Sequence, residues 1–240
     1  MTKFLAVASA KGGVGKTTTA LNLGTALTNF GKDVVIVDTN MGTPHISLHL
    51  GSPKMNATLN DSLSGRINIR DAAYLHPSGI RIIPSSISSD HTRAAGYGLL
   101  QETLMDLVGT TDLVLMDSPA GNEGEQVLKA CDEVIVVLTP DTPSLAEAMK
   151  TIRTAEEYGK KVIGAIINRS RGDKFEMSAN NIESLLEKPV LGVIPEDGSV
   201  LRSLALNHPV VYTHPESEAS LGFKEVAAVL LGQEYKSGIN

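Results

Sequence analysis

Residues 11–18 read Lys-Gly-Gly-Val-Gly-Lys-Thr-Thr, directly after the apolar run Phe4–Ala8. A strand that turns through glycines straight into a helix is the P-loop unit, which belongs to α/β folds. The spacing G-x-x-x-x-G-K-[ST] is nearly met, with Ala10 where the first glycine usually stands and Gly15-Lys16-Thr17 closing it. Gly12, Gly13 and Gly15 let the backbone N–H groups of the loop, through Val14 to Thr18, point at one anion without a Cβ in the way. The helix beginning at the loop's end aims its positive pole at the same place. Lys16 can reach the β and γ phosphates of a nucleotide, and the Thr17 hydroxyl can ligate Mg²⁺. Lys11 is an addition that an ordinary nucleotide loop does not need.

The pattern after the loop predicts a helix from Thr17 to Asn29, with Leu23 and Leu27 on one face and Gly31 as its stop. Further short apolar runs recur at Val34–Val37, Ile80–Ile83, Leu113–Met116, Val134–Leu138, Val162–Ile167 and Val190–Ile194. Most are continuously apolar, as strands buried on both faces are. Between them lie helix-like stretches. Leu100–Val108 presents Leu100, Leu104, Leu107 and Val108 on one face. Pro143–Tyr158 presents Leu145, Met149 and Ile152 and stops at Gly159. This alternation predicts a doubly wound, mostly parallel sheet with helices on both faces, and ligands at the carboxyl ends of its strands. No repeat or linker divides the chain, so residues 1–240 read as a single domain with a short flexible tail from about residue 232.

Two polar clusters close such strands. Asp38-Thr39-Asn40 follows Val34–Val37, and Asp117-Ser-Pro-Ala-Gly121 follows Leu113–Met116. An acid ending a buried strand beside a phosphate loop can hold a Mg²⁺-bound water, so Asp38 and Asp117 join Thr17 as metal candidates, with Asp117 the better of the two acids. Composition sets bounds on partners and compartment. Cys131 is the one cysteine, which excludes an intramolecular disulfide and fits a cytoplasmic location. The net charge of −6 argues against broad DNA binding, although a local basic patch is allowed. No apolar run approaches the length of a membrane span.

With these residues in place, the chain resembles the MinD/ParA ATPases, and MinD most of all. The loop Lys11–Thr18 resembles their deviant Walker A motif, and Asp117–Gly121 resembles MinD switch II. Asn168-Arg169, and Val193-Ile-Pro-Glu-Asp197 with Ser199–Arg202, resemble the adenine-pocket segments. The resemblance runs from residue 1 to about residue 230. It implies a P-loop NTPase fold, ATP and ADP as ligands with Mg²⁺, and an ATP-dependent homodimer in which Lys11 reaches the partner's nucleotide. Lys11, Lys16, Asp38 and Asn40 would then carry hydrolysis. Asn168 and Arg169 would lie at the adenine, Pro195 would pack on its ring, and backbone groups near Glu196 and Asp197 would read it. A protein activator or cargo adaptor is implied as well.

The sequence also departs from that family. The switch that usually reads D-x-D reads Asp38-Thr-Asn40 here. Asn40 can orient a water but cannot accept its proton, so hydrolysis is expected to be slow, and an acid restored at position 40 is expected to speed it. Pro44 and His45 give the switch a different surface. His45 and His49 are four residues apart, and a packed or solvated role is favoured over a metal pair. After Leu221–Leu231, read as the last helix with Phe223, Val226 and Leu230 inward, the tail carries one lysine and no apolar face, too little for membrane attachment. The expected function is a slow Mg²⁺-dependent ATPase that positions a division apparatus or a cargo. The alternatives are a nucleotide-gated binding module that barely hydrolyses, or a partition ATPase whose basic residues Lys150, Arg153, Arg169, Arg171 and Lys174 bind DNA.

Overall fold

A computed structural model describes residues 1–51, 55–86 and 96–235. The described residues form an eight-stranded sheet in the order β3-β4-β2-β5-β1-β6-β7-β8. Its strands are β1 Lys3–Ala8, β2 Val34–Asp38, β3 Tyr74–Leu75, β4 Arg81–Ile83, β5 Leu113–Asp117, β6 Glu133–Leu138, β7 Lys161–Ser170 and β8 Val190–Pro195. All pairings are parallel except β3 with β4. The expected doubly wound α/β sheet is present, and every expected strand is found within a few residues of its place. β3 has no counterpart in the apolar runs, because two residues on a sheet edge, one exposed, leave no hydrophobic pattern.

Strand period and side-chain direction explain the two cores. Along β1, Phe4, Ala6 and Ala8 face one layer, while Leu5 and Val7 face the other. The first layer is covered by α3 Leu59–Leu63, α4 Leu100–Met105, α5 Asn122–Ala130, α6 Thr142–Glu157 and α7 Ala179–Leu186. The second is covered by α1 Lys16–Asn29 and α10 Glu218–Leu230, together with the short α2 His45–His49 and α9 Val210–Thr213. Gly31 ends α1 with φ of +79°, the left-handed turn that glycine makes at least cost.

Several helix faces differ from expectation. The predicted helix 100–108 ends at Met105, so Val108 falls in the following turn and is 39% exposed, while Leu107 still reaches the core from that turn. Met149 is 40% exposed, since α6 buries the narrower stripe of Leu145, Ala148, Ile152 and Ala155. α1 is buried on more than one face because α10 packs over its outer side. In α10, Phe223 and Val226 are fully buried and Leu230 partly so. Of the tail, residues 236–240 lie outside the described residues, and the Tyr235 ring stands edge-on to Phe30 at 6.0 Å. Among the described residues no helix is long and apolar enough to cross a membrane.

Candidate functional site

β1, β2 and β5 are neighbours, so their carboxyl ends bring the glycine loop, Asp38 and Asp117 together. Asp38 and Asp117 are direct register partners on β2 and β5. Both are fully buried. Burial raises each carboxyl above the usual range, and at Asp117 the neighbouring Asp38 charge adds to the rise. Two buried acids side by side are favoured by a shared proton or by a nearby cation.

The loop is open where an anion would sit. A Cβ at Gly12 or Gly13 would meet no atom, and Gly13 holds a φ of +77° that disfavours a side chain. Lys16 is buried at its edge, with Nζ donating to the Lys11 carbonyl at 3.3 Å. Desolvation lowers the pKa of this lysine, against the pull of Asp117. The Thr17 hydroxyl donates to Asp117 Oδ2 at 2.7 Å. Asp117 Oδ1 is buried with no partner, as are the hydroxyls of Ser9 and Ser118. An orphaned carboxylate oxygen next to a threonine hydroxyl and a nest of amides is a donor set suited to a hydrated Mg²⁺ on a phosphate chain.

Asp38 is differently employed. Its Oδ1 accepts from Asn40 N at 3.0 Å and its Oδ2 from Ile46 N at 2.9 Å, which ties the switch segment and the start of α2 to the strand. Asn40 is buried, and its amide donates to the Asp117 carbonyl at 3.3 Å and to Asp117 Oδ2 at 3.4 Å. The Thr39 hydroxyl donates to the same carbonyl at 2.6 Å.

Two adjoining cavities lead away from the loop. One, of about 360 Å³, is lined by Gly12, Lys16, Thr17, Asn40, His45 and His49 among others. The other, of about 350 Å³, is lined by Asn168, Pro195, Glu196, Asp197 and apolar residues of α8 Gly198–Ala205. Thr18, Arg169 and Leu204 line both. Asn168 is buried and donates Nδ2 to the Val14 carbonyl at 2.8 Å. A Cβ on Gly15 would come within 2.2 Å of that nitrogen, so the loop can pass Asn168 only as glycine. Arg169 takes a left-handed φ of 59° at the strand's end. Glu196 is ion-paired with Arg171, and Asp197 caps α8 through Ser199 N at 2.7 Å while its other oxygen accepts from Ala219 N at 3.1 Å. Of the residues expected from the sequence, Gly12, Gly13, Gly15, Lys16, Thr17, Thr18 and Asn40 thus line one cavity and Asn168, Arg169, Pro195, Glu196 and Asp197 line the next, while Lys11, Val14, Asp38 and Asp117 line neither.

Lys11 departs from the expected picture. Its position in the loop required no local partner, yet its ammonium lies 3.0 and 3.2 Å from the two oxygens of Asp141. Asp141 is the cap of α6 and also accepts from Ser144 N and the Thr139 hydroxyl. Burial opposes its ionisation, but these bonds and Lys11 outweigh it and hold the carboxyl below its usual range. Nothing short of the folded arrangement of β6 and the loop could have paired these residues. His45 and His49 share one short helix and line the first cavity, and no third ligand accompanies them among the described residues. Among the described residues no group of three or more His, Cys, Asp or Glu is placed to hold a metal.

Comparison with known proteins agrees with this geometry. Residues 5–210 match the CobQ/CobB/MinD/ParA nucleotide binding domain. The chain is 37% identical to an uncharacterised ATP-binding protein of Methanocaldococcus jannaschii over 97% of its own length and 89% of the relative's. The septum site-determining protein MinD of Pyrococcus horikoshii, solved in complex with Mg-ADP, superposes with a TM-score of 0.91 at 30% identity, covering 96% of each chain. MinD in the MinC:MinD cell division complex of Aquifex aeolicus superposes at 0.84 with 26% identity and 98% coverage of both chains. The family match spans most of the chain, and the chain belongs to the CobQ/CobB/MinD/ParA nucleotide-binding family.

Proposed function

We propose that this protein is a slow, Mg²⁺-dependent ATPase of the MinD/ParA type that works as one nucleotide-binding domain in the cytoplasm. ATP drives it to dimerise and hydrolysis resets it, and the switch serves to position a division apparatus or a cargo through a protein activator or adaptor. The observation that carries this reading is the open, Cβ-free loop lying against the orphaned Oδ1 of Asp117. Gly12–Thr18 would hold the phosphates and Lys16 would neutralise them. Thr17 and Asp117 would hold the metal, which when bound supplies charge to the phosphate oxygens. The cavity at Asn168, Arg169, Pro195, Glu196 and Asp197 would take the base. The Mg-ADP held by the Pyrococcus horikoshii relative supports this assignment, and the Aquifex aeolicus complex supports a protein partner.

One observation favours the slow end of the range, where the protein is mainly a nucleotide-gated binder. Both oxygens of Asp38 are committed to backbone amides, and Asn40 stands where an acid was expected. DNA binding draws less support, since Arg171 is paired with Glu196 and Lys174 lies over the Phe175 ring.

Calorimetric titration with Mg-ATP tests the site, with phosphate release followed in parallel. Micromolar or tighter binding that Lys16→Ala weakens at least a hundredfold, with measurable ATP turnover, is expected, because the ammonium faces the densest negative charge. Unchanged affinity in that variant would overturn the assignment.

A further inference from the structure

The phosphate-side cavity has an imidazole wall. His45 and His49 both line it, and so does Lys16. No carboxylate lines that cavity among the described residues, and its formal cations are Lys16 and Arg169. The position of His45 is fixed rather than incidental. The next residue, Ile46, donates its amide to Asp38 Oδ2, which locks the start of α2 to the end of β2. His45, Asn40 and Ala120 belong to the part of this cavity that the base-side cavity does not share. A phosphate chain running from the base side past Lys16 would end there.

We propose that His45, backed by His49, is a proton-taking sensor of the terminal phosphate, so that a nucleoside triphosphate loads a proton from solvent onto His45 and a diphosphate does not. The inference rests on the nucleotide-site reading and adds a regulation to it. Lys16 of α1, Arg169 of β7 and His49 of its own helix line the same cavity as His45; the buried Asp38 accepts from the Ile46 amide at the start of α2, Asp117 is the register partner of Asp38, α8 contributes Leu204 to this cavity, and His208 lines a further cavity with His49. Burial, and then the Lys16 charge, hold the His45 imidazole below its ordinary range. Burial, and then His45, do the same to His49. Both are therefore neutral at neutral pH without a ligand. A terminal phosphate removes the second of these causes, because it neutralises Lys16, and works against the first by offering its oxygens to an imidazolium. The sign follows from linkage. The bound pKa lies above the free one, so triphosphate affinity is greater at low pH and falls as pH rises through the bound value.

The test is calorimetry of Mg-ATP and Mg-ADP binding near pH 7 in buffers of different ionisation enthalpy, which counts protons taken up. The wild-type protein is expected to take up roughly half a proton more with ATP than with ADP. His45→Gln should erase that difference, retain ADP binding, and weaken ATP binding roughly threefold at pH 6.5 but little at pH 8.5, the linkage that uptake of about half a proton near pH 7 implies. An independent readout is ¹⁵N NMR of the imidazoles, where His45 should adopt the protonated pattern with a non-hydrolysable ATP analogue and not with ADP. The proposal falls if wild-type protein binds both nucleotides with equal proton uptake, or if the difference survives in His45→Gln. Failure of the wild-type protein to bind either nucleotide would instead sink the site reading itself.

Discussion

Asn40 shows what a side chain read from its neighbours in sequence can miss. As an amide in place of an acid it suggests weakened chemistry, to be repaired by Asn40→Asp. In the structure that amide donates toward Asp117, which already lies against Asp38. A carboxylate at position 40 would remove the donor and add a third buried acid. Each acid then has a folded pKa above its unfolded one, so the variant loses stability as pH rises above the ordinary carboxylate range. We expect Asn40→Asp to cost on the order of 2 kcal/mol at pH 8 in the absence of Mg²⁺, less at pH 5, and less again when Mg²⁺ is added. Thermal melts across pH and Mg²⁺ concentration check this; a pH-independent loss would mean that the carboxylates do not interact. Any gain in hydrolysis has to be read in Mg²⁺-loaded protein.

Elements are tied to one another here by polar pairs as well as by the two apolar layers. His76, in the turn between β3 and β4, is buried, and its Nε2 lies 3.1 Å from Nδ1 of His208, beyond the end of α8. Burial and then the His208 charge push His76 down to about 4, against a bond that the imidazole donates to the Asn207 backbone. A histidine that is neutral when folded and protonated when unfolded makes stability fall as pH drops from 6.5 toward 4. The expected loss across that window is roughly 2 kcal/mol after allowing for solvent screening. His76→Asn should flatten this acid limb in urea unfolding at pH 4.5 and 7, and an unchanged limb would assign the acid sensitivity to other groups. No short-range signal marks this pair, since residues 76 and 208 meet only through the fold. The strands, by contrast, were legible because parallel strands buried on both faces are written as unbroken Val, Ile and Leu runs. The helix faces were less so, as Met149 and Val108 show, because the width of a buried stripe depends on neighbouring helices that a local window does not contain.

At the scale of the whole molecule, the Lys11–Asp141 pair bears on assembly. If Lys11 is to reach a partner's nucleotide, it must first leave Asp141. The pair is partly exposed and is worth no more than about 1 kcal/mol. Asp141→Asn keeps a capping side chain on α6 and removes only the charge. It is expected to lower the ATP concentration for half-maximal dimerisation up to about fivefold in light scattering. Lys11→Ala should bind nucleotide as a folded monomer and fail to dimerise or to hydrolyse. If Lys11→Ala dimerises normally with ATP, the lysine acts within its own subunit and Asp141 is its working position. The contact between Gly15 and Asn168 has a consequence for descent. One amide props the phosphate loop while bordering the cavity assigned to the base, and the loop can pass it only without a side chain. The two positions can therefore drift only in concert, and lineages that alter what the base side accepts should carry a matching change in the loop, or should find their ligand preference frozen.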